Sequence, residues 1–218
     1  MAPPSPSNLA IEAALVSGAA LVLLVYHAVF LRELKRQPWR TAIGEARLLR
    51  RAWVKDMVAG HKDILAVQTL RNWSQSASFL ASSAILLAIG MLSFLMASDR
   101  VSSLVHLVNL WGDLSEKLLT AKLMLLVVNF LVSFFAFSIA IRHYNYAALA
   151  INTPQEGARE PIEAVALRHL ERGANHYTVG MRGFYLALPL ALWILGPLWM
   201  FIGTLALVYG LYRHDHAG

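Results

Sequence analysis

The sequence predicts an all-α integral membrane protein: four transmembrane helices, one basic amphipathic helix at the membrane surface, and both termini on the outer side. Three observations carry that prediction. Of 218 residues, 57% are hydrophobic and 15% charged, where soluble chains run at roughly 45–50% and about 25%. Four stretches, Ala13–Leu31, Ala77–Ala97, Leu123–Ile141 and Phe184–Tyr212, contain no Lys, Arg, Asp or Glu. Each is long enough to cross a hydrocarbon core, which takes about 20 apolar residues. Finally, the cations gather in two of the three connections between these stretches. The mean hydropathy of +0.53 points the same way.

With their flanks, the spans cover about residues 9–32, 70–98, 120–143 and 183–212 of a single membrane domain. Ten Lys and Arg lie between the first two, five between the last two, and four elsewhere. Positive charge stays cytoplasmic, so the connections 33–69 and 144–182 belong inside and 99–119 outside. Met1–Asn8 is rich in Pro and Ser and has no Lys or Arg, which reads as a disordered outer tail rather than a signal sequence. The last run has 29 residues, about 43 Å as helix and too short for two full crossings. It is predicted to be one tilted helix kinked at Pro189 or Pro197, residues that lack an amide hydrogen.

The connections carry structure of their own. Ala42, Ile43, Ala46, Leu49, Ala52, Trp53 and Met57 recur at intervals of three and four, with Arg40, Arg47, Arg50, Arg51 and Lys55 largely around the other side. That spacing predicts a basic helix lying on an anionic leaflet, each cation contributing about 1 kcal/mol there. Pro161 and Gly173 bracket a second short helix, in the order that helix ends favour. Val101, Leu104, Val105, Val108 and Trp111 suggest a third, on the outer surface. Within the second span, Ser74, Ser78 and Ser82 and the pairs Ala77–Ala81 and Ala84–Ala88 form small-residue ridges. Phe130, Phe134, Phe135 and Phe137 make the third span bulky. In lipid such close packing holds helices together, so these two spans are expected to pair.

The tract Ile64-Leu65-Ala66-Val67-Gln68-Thr69-Leu70-Arg71-Asn72 is distinctive. With it go Tyr26-His27, Lys122, Arg142, Asn145, Asn175, Gly180, Arg182, Tyr185, Trp193, Gly196 and Pro197. In order and spacing these residues resemble the membrane family known as domain of unknown function 599, from about Tyr26 to Tyr212. The resemblance implies a four-helix membrane protein of uncharacterised activity and brings no catalytic residues with it.

Polar groups in a membrane are costly and therefore informative. His27, Arg71, Asn72, Arg142, Asn145, Asn175 and Arg182 fall near the inner ends of the four spans. One reading makes them a cationic pocket for a lipid headgroup, phosphate or carboxylate, which suits the forked donors of arginine. The other has the arginines anchoring helix ends at headgroups. Lys122, just inside the outer end of the third span, either snorkels outward or pairs with Glu116 or Asp113 at an outer gate. Asn129 is expected to hydrogen-bond between helices, and Glu12 to be solvated. His27 and His143 together could hold haem b, although no cofactor and no metal site is expected.

With no cysteine, disulfides, iron–sulfur clusters and thiolate chemistry are excluded, and no catalytic motif is present. The reading that results is a non-enzymatic module of a bacterial inner membrane. It binds an anionic lipid or small anionic solute at its cytoplasmic mouth, alone or as a subunit of an oligomeric transporter or channel. The alternatives are a redox subunit binding haem or quinone near His27, and a scaffold within a larger membrane complex. Expected partners are anionic lipids and either further copies or a membrane complex, with no nucleic acid.

Overall fold

The computed structural model describes residues 6–60, 62–96, 116–154 and 160–215. These residues are helical nearly throughout: α1 (Pro6–Arg36), a 3-10 turn (Pro38–Arg40), α2 (Ala42–Ala59), α3 (Asp63–Met96), α4 (Glu116–Ile151), α5 (Ile162–Leu195) and α6 (Pro197–Asp215). Four are long and apolar enough to cross a membrane, over Ala10–Arg36, Ile64–Met96, Lys117–Ile151 and Ile162–Leu195. The expected outer helix around Val101–Trp111 lies outside the described residues. The tail expected over residues 1–8 is described only from Pro6, where α1 has already begun.

Helices of 34 to 36 residues run about 50 Å, well beyond a core of about 30 Å. The excess of α3, α4 and α5 makes a common extension, to which α2 is docked. Val54 and Met57 of α2 are buried there with Ala66, Leu70, Ala140, Tyr144, Ala147, Ile151, Ala166 and Leu170. Thr41 caps α2 by accepting from the Gly44 amide at 3.2 Å, which satisfies one of its orphan donors. The connections expected between spans are thus largely continuations of the spans themselves. No separate helix ends at Gly173: α5 runs through it. Gly173 and Gly180 are small because α4 lies against them; an added Cβ would come within 2.7 Å of the Tyr144 and Phe137 rings.

In space α3 packs on α4, α4 on α5, α5 on α6, and α6 on α1. The pairing of a small-faced helix with an aromatic one is observed. Ala66, Ala77, Ala81, Ala84 and Ala88 of α3 are buried, as are Phe130 and Phe137 of α4. Ser78 and Ser82 are exposed, so the alanine ridge forms the contact, and of the three ridge serines Ser74 alone bonds α4, through Asn145. Ser78 bonds its own helix, donating to the Ser74 carbonyl.

The last apolar run departs most from expectation. It is two helices, not one kinked rod. Gly196 adopts φ 139°, a conformation closed to most L-residues, and Pro197 starts α6 without an amide to lose. The chain turns back there: a Cβ on Gly203 would touch Leu192 and the Pro189 backbone, and Asp215 reaches Arg182. Pro189, the other expected kink, lies buried within α5. Asp215, at the end of α6, lies beside Tyr26, about 21 Å along α1 from Glu12.

Candidate functional site

Among the described residues, those singled out by sequence as a cationic pocket at the ends of the spans form no hydrogen bond or ion pair with one another. Arg71 and Asn72 on α3, Arg142 and Asn145 on α4, and Asn175 on α5 are all exposed. Asn145 accepts a bond from the Ser74 hydroxyl at 3.4 Å. His27 is half-buried, its Nδ1 2.8 Å from the Leu23 carbonyl of its own helix and its ring edge-on to Tyr26. His143, the other residue of the haem alternative, is turned to different neighbours. Its Nδ1 lies 3.0 Å from that of His169, and its ring stacks on His176. Among the described residues, no group of three or more His, Asp or Glu is placed to hold a metal ion.

Arg182 and Lys122 belong to two buried polar clusters, and both clusters fasten α1. Towards the end of the bundle where α1 begins, Lys122 Nζ is 2.7 Å from Glu12 Oε1, with side-chain exposures of 4% and 5%. Trp193 Nε1 donates to the same oxygen at 3.0 Å, and the ammonium lies 5.1 Å from the Trp193 ring centroid. Lys122 therefore neither snorkels nor needs Glu116 or Asp113, whose side chains lie outside the described ones. Glu12 is buried, not solvated, because α4 and α5 bring it a cation and an indole. Further along, Asp215 accepts from the Tyr26 hydroxyl and from Arg182 Nη2, the latter at 3.1 Å. Arg182 also lies 4.6 Å from the Phe30 ring centroid. Between these levels, Asn129 Nδ2 donates to the Gly183 carbonyl at 2.9 Å, the expected bond between helices. Each of these groups has an answering partner, as apolar surroundings demand.

Arg50 is different. Beside the core of the extension, a cavity of about 570 Å³ opens between α2, α3, α4 and α5. Trp53, Trp73, Tyr144 and Tyr177 wall it, Ser76 and Thr178 offer hydroxyls, and Arg50 supplies the cation. The cavity lies just below Ala77, where the charge-free run of α3 begins. Arg50 Nε is buried without a hydrogen-bond partner, as is that of Arg47 on the preceding turn. Burial lowers the pKa of the Arg50 guanidinium from its ordinary value, and Arg47 adds to this. Tyr144 and Glu171 oppose it. Glu171 is itself bonded to Arg51 at 3.1 Å. An anion entering the cavity would restore what burial has taken from Arg50, and the aromatic walls would cover an apolar body attached to it.

The family described as "Protein of unknown function, DUF599" matches residues 14–218. The chain belongs to that family. No curated protein and no solved structure matches it. The DUF599 match covers α1 from its third turn, Lys122 and Trp193, the Arg182–Asp215 cluster and the whole cavity, while Glu12 lies just before it.

Sequence reading had placed Arg50 on a membrane-facing helix with Arg40, Arg47, Arg51 and Lys55. Arg40, Arg51 and Lys55 are indeed exposed, but Ala46, Leu49, Arg50 and Trp53 line the cavity. The signal available was Trp53 and Trp73, two indoles in a cationic stretch outside the charge-free runs; their rings meet at 5.8 Å.

Proposed function

We propose that this DUF599 chain is a non-enzymatic inner-membrane protein that binds an anionic amphiphile in its cytoplasm-facing cavity. The class of ligand is a fatty acyl or alkyl chain ending in carboxylate or phosphate. The observation that carries the reading is Arg50, the one charged residue among the described residues that line an aromatic cavity of about 570 Å³. A guanidinium's bonds to carboxylate or phosphate oxygens are charge-assisted and about twice as strong as neutral ones, and the aromatic walls would cover the attached chain. The volume is of the size that small-molecule sites have.

The charge asymmetry supports the topology. With both basic connections inside, α1 starts on the outer side, the extension built from α2 to α5 stands in the cytoplasm, and α6 ends in the inner half. The cavity then opens at the level of the inner headgroups, within reach of leaflet and cytosol. Arg71 and Arg142 contribute only to the surrounding positive field.

Titrating dodecyl phosphate into the protein in non-ionic detergent, followed calorimetrically, tests the reading. Saturable binding is expected, weakened tenfold or more by Arg50→Gln, since a bond to a charged group contributes about 1.5–3 kcal/mol. Arg71→Gln should leave it within about twofold, as an exposed charge is screened. Equal affinity in wild type and Arg50→Gln would contradict the assignment.

A further inference from the structure

A second concave site lies where α1 leaves the membrane, and it differs from the Arg50 cavity in carrying both signs of charge. The apolar run of α1 ends at Leu31, and the helix ends at Arg36. The corner to α2 is stiff. Buried Thr41 donates from its hydroxyl to the Pro38 carbonyl at 3.0 Å and accepts from Gly44. A Cβ on Gly44 would lie 2.0 Å from that same Pro38 oxygen. The corner and the last turns of α1 enclose a groove of about 740 Å³, whose charged lining is Arg32, Arg36, Arg40, Glu33 and Glu45. Trp39 and Tyr212, 64% and 57% exposed, stand at its rim. Aromatic residues of this amphipathic kind mark the headgroup level.

A site for a purely anionic headgroup has no use for two carboxylates, which repel it. Three guanidiniums and two carboxylates match a headgroup holding a phosphodiester and an ammonium a few ångströms apart. The arginines donate to phosphate oxygens, and an ammonium with hydrogens donates to Glu33 and Glu45. A trimethylated ammonium has no hydrogen to give. We infer that this groove, lined by Arg32, Arg36 and Arg40 with Glu33 and Glu45, seats a phospholipid whose headgroup carries a primary amine. The site is separate from the Arg50 cavity, so either assignment can fail without the other.

The test uses the full chain in mixed micelles with equal amounts of phosphatidylethanolamine, phosphatidylcholine and phosphatidylglycerol, counting retained lipids by native mass spectrometry. Phosphatidylethanolamine should be retained about tenfold over the other two, the scale of one charge-assisted hydrogen bond. Glu33→Gln with Glu45→Gln should abolish that preference, while Arg32→Gln with Arg36→Gln lowers retention of all three. These side chains are exposed, so the variants should melt at the wild-type temperature. Arg50→Gln should keep the preference. Equal retention of the three lipids by wild type, or a preference that survives the glutamate substitutions, would overturn the inference. So would displacement of the lipid by millimolar phosphoethanolamine, which would make this a site for a soluble phosphoester.

Discussion

Lys122 and Arg50 are both cations drawn away from water, and the difference between them separates staple from site. Lys122 has Glu12, Trp193 and close packing around it. Arg182 likewise has Asp215, with Tyr26 joining. Arg50 borders an open cavity, and one of its donors is buried with nothing to receive it. The chain supplies an anion where a cation holds helices together. At Arg50 the chain bonds no anion to the cation, and the proposed ligand would supply one.

The largest effect should follow from breaking a staple. Lys122→Met leaves Glu12 buried without its counter-charge and should cost about 3–5 kcal/mol in unfolding free energy. Lys122→Met combined with Glu12→Leu should recover most of that, because no charge is then stranded. Denaturant unfolding in detergent measures both; equal losses in single and double variants would deny that the pair acts as a unit. Asp215→Ala comes next, at about 2–3 kcal/mol, since it removes an acceptor shared by a charged and a neutral donor. Gly180→Ala should cost about 1–3 kcal/mol through overpacking against Phe137, whereas Gly90→Ala, with nothing within 4 Å of the new Cβ, should be neutral or slightly stabilising by the same assay. Smallest of all is Arg50→Gln without ligand, expected within about 0.5 kcal/mol of wild type because it breaks no bond made by the chain. A loss as large as that of Lys122→Met would make Arg50 another staple.

Most of the fold was legible, and what was missed has one physical cause. Apolar runs, small-residue spacing and Asn129 depend on residues close in sequence, and they placed three spans, the contact of α3 with α4, and a bond between helices. The fourth region misled because a charge-free run was taken as the membrane segment. Arg182 lies inside α5 with Asp215 answering it, so the apolar helix begins before that arginine, and Phe184–Tyr212 is left as one arm plus its return. A partner 33 residues away neutralises a charge that local counting treats as a boundary. The same holds for Lys122, whose partner Glu12 is over a hundred positions distant, and for the cavity, assembled from α2, α3, α4 and α5. Arg71, Arg142 and Arg182 all flank apolar runs, yet Arg71 and Arg142 are exposed while Arg182 pairs with Asp215. Position along a helix is readable from sequence; the azimuth of a helix is set by packing.

Contact between a bound anionic chain and the cavity's indoles is the most direct check. Quenching of tryptophan fluorescence by a bromine-labelled fatty acid should saturate in the wild type and fall sharply when Trp53 and Trp73 are replaced by Phe. With Arg50→Gln, saturation should shift to at least about tenfold higher concentration. Quenching that rises linearly in all three proteins, or that persists unchanged without those two indoles, would mean that the cavity does not hold the anion.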